Sequence, residues 1–221
     1  MIARVNAPDA PATRITLRDM TRADIRTVRR IESAAYQDAW PARAFDAELA
    51  NAFARYRVAV EAPIDAPVQP ARGTLAMLRR LAGRAEPQRI VGFMGVWYMQ
   101  DQMHLVTIAT DPAHWSRGIG ARLLLDCLDL AREAELPEVV LEVRVGNVRA
   151  RLLYERMGFH QVGRLIAYYK DNDEDAFVML SGHLSDAAAI ERHTAIRDEL
   201  RARGIFADID RAPSSSETGN S

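Results

Sequence analysis

Two glycines spaced GxG, Gly118 and Gly120, head a strongly apolar segment, and that turn is the place in this chain best suited to hold an anion. The first N–H groups of a helix lack internal partners, and glycine lets backbone approach a ligand closely. A phosphate placed there gains from the donors and from the helix dipole. Three phosphate chemistries compete for such a turn. A P-loop is excluded, because no Gly-Lys-Ser/Thr follows. A dinucleotide site would take Glu142, about 20 residues on, as its ribose acid. Against that reading, Leu123 stands at the third glycine position. Residues 111–117 also separate the strand end at Thr110 from Gly118, whereas the dinucleotide turn is tight. An acyl-CoA pyrophosphate site tolerates the longer loop.

The other reactive side chains point elsewhere. Cys127 is the only cysteine, lies in an apolar helical pattern and reads as a small core residue. One cysteine permits neither an intrachain disulfide nor a Cys-rich zinc site. His104 and His114 read as surface or satisfied histidines, since no cysteine or acid completes a ligand set, and no metal is expected. The acidic run Asp171-Asn172-Asp173-Glu174-Asp175 lacks the glycine and closing glutamate of a calcium loop and reads as a solvated hairpin turn.

Lys+Arg 29 balance Asp+Glu 30 over 221 residues, which leaves no basic field for nucleic acid. Lys170 is the sole lysine. No apolar run approaches the ~18 residues of a membrane span. Residues 1–13 lack the apolar centre of a signal peptide, so a cytoplasmic, soluble protein is expected.

Elements that could position the turn follow from periodicity. Ile15 and Leu17 alternate as a first strand, and Thr21 with Asp24 starts a helix over 23–36. A second helix follows near 43–50 and a strand over 55–61. Residues 62–88 carry four prolines around a short Arg-flanked amphipathic piece at 74–81, an insertion between strands that reads as a solvated helix resting on its own domain. Two apolar strands, 90–99 and 104–110, form a hairpin. A buried helix (118–134), a strand (139–143), a helix from Asn147 to the C-cap Gly158, and strands at 159–166 and 176–180 complete the pattern. Residues 185–203 read as a surface helix, and the polar tail as disordered. The expected fold is one α/β (α+β) domain on a mixed sheet.

Residues 104–121, a strand running into xxGxG and a long helix, resemble the acetyl-CoA motif of the GNAT N-acetyltransferases. The likeness continues through Leu141-Glu142-Val143-Arg144, Asn147, Ala150, Tyr154 and Gly158-Phe159, then Tyr168-Tyr169, Glu174-Asp175-Ala176 and Met179. That series, with Ile31-Glu32, Ala35-Tyr36 and Trp40, resembles the ribosomal-protein-alanine N-acetyltransferases of the RimI type. The resemblance covers residues 14–181 apart from the insertion. It implies a mostly antiparallel sheet of six to seven strands flanked by about four helices; outside that pattern, residues 1–13 read as a flexible lead-in, 182–211 as a helical extension and 212–221 as a disordered tail.

The resemblance also implies roles. Backbone N–H groups of Ser116, Arg117, Gly118, Ile119, Gly120 and Ala121 would hold the pyrophosphate of acetyl-CoA. The strand edge at Ile108, Ala109 and Thr110 would pair with the pantetheine arm, and Asn147 would hydrogen-bond the co-substrate. Glu142 would be the general base and Tyr154 the general acid, with the backbone near Ile108 as oxyanion donor. Alternatively, Glu142 is an ion-pair partner of Arg144 or Arg151, and Tyr154 a packed aromatic. The acidic turn would border the acceptor groove, where it could steer a cationic N-terminus.

Two positions depart from the pattern. Trp115 replaces the usual Gln or Arg three residues before Gly118, and Ala39 replaces the proline before Trp40. The expected acceptor is a protein N-terminus, Ala-initiated and ribosomal, without nucleic acid or a membrane. A small amine or another protein is the alternative acceptor, and a non-catalytic acyl-CoA-binding module the alternative class.

Overall fold

A computed structural model describes residues 13–36, 40–41, 43–64 and 88–210. The amphipathic piece at 74–81, the first twelve residues, Ala39 and the tail from 211 lie outside the described residues.

Seven strands form one sheet in the order β1-β2-β3-β4-β5-β7-β6. They are β1 (Thr13–Asp19), β2 (Ala54–Pro63), β3 (Arg89–Tyr98), β4 (Met103–Thr110), β5 (Val139–Arg144), β6 (His160–Tyr169) and β7 (Glu174–Leu180). Among the described residues there are five α-helices: α1 (Ile25–Ala35), α2 (Ala44–Glu48), α3 (Ile119–Glu133), α4 (Val148–Arg156) and α5 (Ala187–Ala202). Every pairing is antiparallel except that of β4 with β5. That parallel pairing holds only Met103 to Val139 and His104 to Val140. Beyond it the two strands diverge, so β4 from Leu105 to Thr110 has no strand on its far side. An open edge of unpaired backbone groups results.

Both faces of the sheet are covered, as mixed sheets require. On one face Met103, Leu105, Val139 and Leu141 pack with Leu124, Cys127 and Leu128 of α3 and with Tyr154 and Met157. On the other, Val28 and Ile31 of α1 and Phe45 of α2 pack on Tyr56, Val58 and Phe93. Thr21 and Asp24 meet as expected, the Asp24 carboxylate accepting from the Thr21 N–H and hydroxyl at 2.8 Å each. They open a 3-10 turn, Arg22–Asp24, that leads into α1.

The C-terminal helix is a surface helix, as expected, seated on one buried stripe. Ala189, His193, Ile196 and Leu200 of α5 are buried, and burying Ile196 and Leu200 stabilises by roughly 1.5–3 kcal/mol each. The chain then runs beside β1. The Ile15 N–H donates to the Ile205 carbonyl (2.6 Å), Ala207 N–H to the Ile15 carbonyl (3.0 Å), and Leu17 N–H to Asp208 (2.6 Å). The extension thus covers an edge that would otherwise expose unpaired donors. Buried Arg122 joins the same region, bridging Asp126 (3.5 Å) and Asp208 (3.3 Å), while Arg57 of β2 reaches Asp126 at 2.9 Å.

Candidate active site

Asp111 closes the turn after β4 by accepting from the Ala113 N–H at 3.0 Å. Ser116 and Gly118 then take left-handed backbone, φ 62° and 89°. Gly118 is the N-cap of α3 and has no side chain to cap with, so the N–H groups of Ile119, Gly120 and Ala121 lack capping partners. A Cβ on Gly118 would come 2.8 Å from Leu200 Cδ2, so α5 and the backbone angle both demand glycine here. Arg203, just past α5, donates to the Ser116 carbonyl at 3.3 Å. Ile119 and Ala121 are buried, and Ser116 is exposed.

Side chains around this loop are arranged differently from the sequence expectation. Arg117 turns away and donates to Glu61 at 2.7 Å. Burial would raise the Glu61 carboxyl, but hydrogen bonds from Arg117 and Thr13 hold it below the usual carboxylate range. Trp115 is 48% exposed and its indole N–H donates to the Thr110 carbonyl at 3.1 Å. The Arg149 guanidinium lies over the Trp115 ring, 4.2 Å from its centre. The position that lacks Gln or Arg therefore holds a cation from the next helix beside the loop. Asn147 is exposed and caps α4, its Oδ1 accepting from the Ala150 N–H at 3.1 Å. Its amide NH2 is the group left to meet a ligand.

The β4 edge is not bare at Ile108. The Tyr36 hydroxyl donates to the Ile108 carbonyl at 2.6 Å and accepts from the Ile108 N–H at 3.3 Å. Ala109 is buried against the α1 side of the sheet.

At the start of the divergence, on the α1 face, Glu142 meets His104. The imidazole Nε2 lies 2.6 Å from Glu142 Oε2, and both side chains are about one-fifth exposed. His104 pairs with Val140 across the strands, and Glu142 is two residues beyond on the same face. Glu142 is thus bonded to neither Arg144 nor Arg151. The Trp97 ring meets His104 edge-on at 5.9 Å, and its indole N–H is fixed by Glu48 at 2.6 Å. Sequence reasoning missed the histidine because nothing local reports the β4–β5 register.

Four tyrosines interact across this region, Tyr168 and Tyr169 with Glu142 and Tyr154 with Tyr36 and Tyr169, while Tyr154 itself packs in the core on the α3 face. Burial pushes the Tyr154, Tyr36, Tyr168 and Tyr169 hydroxyls upward, so all stay protonated at neutral pH. Nearby Tyr36 and Tyr169 add to the rise at Tyr154, and Glu142 adds to the rise at Tyr168 and Tyr169. Tyr154 is buried, its ring 5.8 Å from Phe159. Burial also raises the Cys127 thiol, which faces Met103 Sδ at 3.9 Å and is no nucleophile.

The acidic turn is an exposed turn of the β6–β7 hairpin, as expected, but its carboxylates are tied down. Arg144 stacks on Tyr169 at 3.8 Å and donates to Asp171 (2.8 Å) and Glu174 (3.1 Å). Asp175 accepts from the Ala167 N–H and from Arg164. The Arg144 hydrogen bond lowers Asp171, the Gly146 N–H lowers Glu174, and the Ala167 N–H lowers Asp175. Three carboxylates are spent holding the β6–β7 turn, so little free negative charge remains to steer a cation. A cavity of about 550 Å³ lined by Arg132, Leu136, Leu184 and Arg197, among others, shares no residue with this site. Among the described residues no three His, Cys, Asp or Glu converge as a metal site, and no helix is long and apolar enough to cross a membrane.

Residues 25–159 match the acetyltransferase (GNAT) family. The N-alpha-acetyltransferase RimI of Mycobacterium tuberculosis is 35% identical over 170 residues, 75% of this chain and 90% of that protein. An uncharacterized Mycobacterium leprae protein is 30% identical over 171 residues; the match takes in 75% of this chain but only 40% of that longer protein. Among solved structures, the ribosomal-protein-S18-alanine N-acetyltransferase of Escherichia coli superposes with a TM-score of 0.59 at 22% identity, over 76% of this chain and 94% of that one.

Proposed function

The chain belongs to the GNAT family of N-acetyltransferases, and from that membership we propose that it moves an acetyl group from acetyl-CoA to the N-terminal α-amine of a protein. An Ala-initiated ribosomal protein is the acceptor its motifs favour, and cytoplasm the compartment. The observation that carries the proposal is the placement of two chemistries along one strand. β4 starts at the His104–Glu142 pair and ends at the loop before the uncapped α3 terminus. At about 3.3 Å per residue, His104 and Thr110 stand about 20 Å apart, the length scale of an extended pantetheine arm.

The residues fit acetyl-CoA. The N–H groups of Ile119, Gly120 and Ala121 would receive the pyrophosphate, assisted by the α3 dipole. Asn147 and the β4 edge from Ile108 to Thr110 would orient the arm. Acetyl-CoA, bound there, supplies an activated thioester. Glu142 removes the proton that blocks the amine's lone pair, directly or through water. The Ile108 N–H serves the oxyanion once Tyr36 releases it, at the loss of one long 3.3 Å hydrogen bond. Tyr154, kept protonated by burial, returns a proton to the departing thiolate. No protein nucleophile takes part.

The test is mass spectrometry after incubation with acetyl-CoA and, separately, an Ala-initiated peptide, the same peptide with a blocked α-amine, and a polyamine. Acetylation of the free peptide alone is expected. Transfer to the polyamine alone would move the acceptor to small amines. Tight CoA binding without transfer to any amine would leave a binding module and end the proposal.

A further inference from the structure

Glu142 does not stand alone: its Oε2 is held at 2.6 Å by His104, a hydrogen bond between the strands where the sheet begins to open. Building on the reading of Glu142 as base, we infer that His104 is its positioning residue. The imidazole, with Nε2–H donating to Oε2, holds that oxygen and leaves Oε1 for the acceptor amine. The amine's N–H bond then breaks, its proton forms an O–H bond at Oε1, and the nitrogen lone pair is freed for the thioester carbon.

Three features set this pair apart from a casual surface contact. The bond is short, at the tight end of hydrogen bonds to a carboxylate. The imidazole also meets the Trp97 ring at a near-right angle, and Trp97 is held by Glu48, which also accepts from the Tyr56 hydroxyl at 3.1 Å. Both members face the side of the sheet where Thr107 and Tyr36 meet the β4 edge, and both are only one-fifth exposed.

The experiment measures kcat and kcat/KM against pH for an Ala-initiated peptide at saturating acetyl-CoA, in His104→Phe, His104→Gln, Glu142→Gln and the Phe/Gln double variant. Thermal unfolding and acetyl-CoA KM serve as controls for folding. His104→Phe should lower kcat about tenfold or more, with acetyl-CoA KM unchanged. His104→Gln keeps a donor and should recover most of the rate. In the Glu142→Gln background His104→Phe should cost nothing further. A His104→Phe enzyme with wild-type kcat and pH profile, or one whose loss is the same with and without Glu142, overturns the inference and leaves Glu142 as base. Wild-type transfer by Glu142→Gln overturns that reading itself, and the role of His104 with it.

Discussion

At the head of α3 the groups aimed at a ligand are backbone N–H vectors, whereas across the β4–β5 divergence they are side chains. The first region is braced from behind. Leu200 and Arg203 press on Gly118 and Ser116, Arg122 and Asp126 are buried beneath, and the C-terminal segment seals β1. The second is held by side chains reaching between elements far apart in the chain: His104 on Glu142, Tyr36 on the Ile108 backbone, Arg144 on Asp171 and Tyr169. A backbone site tolerates almost any side chain so long as its angles persist. A side-chain site tolerates backbone drift poorly and substitution not at all. The two regions should therefore fail differently when mutated, the first through affinity and stability, the second through rate.

The largest effect belongs to the side-chain region. Glu142→Gln preserves shape but accepts no proton, and kcat should fall about 10²-fold or more. Acetyl-CoA affinity and thermal stability should hardly move, because Glu142 stands at the strand divergence, away from the α3 terminus, and glutamine keeps its shape. Stopped assays with the peptide, beside calorimetric titration of CoA, read both quantities. Loss of CoA binding in parallel with rate would erase the distinction between the regions.

Gly118→Ala should show the opposite pattern. A left-handed alanine costs about 1–2 kcal/mol, and its Cβ also pushes on Leu200 at 2.8 Å. Each kcal/mol lowers Tm by about 2–4 °C in a chain of this size, and acetyl-CoA KM should rise about tenfold as the first N–H groups of α3 tilt. Gly204→Ala separates the causes. Gly204 has φ 69° with nothing within 4 Å of a Cβ, so it should lose only the backbone part of the stability and leave KM alone. Equal KM values for Gly118→Ala and the wild type would show that the loop angle does not aim the donors.

The asymmetry between backbone and side chain also governs what could be read from the chain. GxG before an apolar helix is a local pattern with a local cause, and strand and helix periodicities such as Ile15/Leu17 or Leu124/Cys127/Leu128 are likewise local. The His104–Glu142 contact spans 38 positions and depends on a parallel register only two pairs long, which no window of sequence reports. The seat of α5 escaped for a related reason. Its buried face is Ala189, His193, Ile196 and Leu200, spaced for a helix but weakly apolar, and flanked by Arg192, Arg197 and Arg201. Its burial comes from α3 and the end of α4, far back in the chain. The exposed acidic run hid its counter-charge in the same way, because Arg144 lies 27 residues from Asp171.

The smallest expected effect tests the exception, a side chain that serves the backbone region. Arg149 has no carboxylate partner among the described residues and rests on Trp115 beside the exposed Ser116. An exposed cation near a phosphate is worth at most about 1 kcal/mol and is screened by salt. Arg149→Ala should thus weaken CoA binding about 2–5-fold at low ionic strength, and the difference should fade as salt is raised, with kcat unchanged. Arg149→Lys should recover little, because an ammonium does not stack as a guanidinium does. Trp115→Ala should match Arg149→Ala, and the double variant should be no worse than either, since the indole acts by holding the guanidinium in place. Additive losses would instead give Trp115 its own contact with the nucleotide end. A salt-independent loss would make Arg149 a structural support of α4 rather than a counter-charge, and the loop would then bind phosphate by backbone alone.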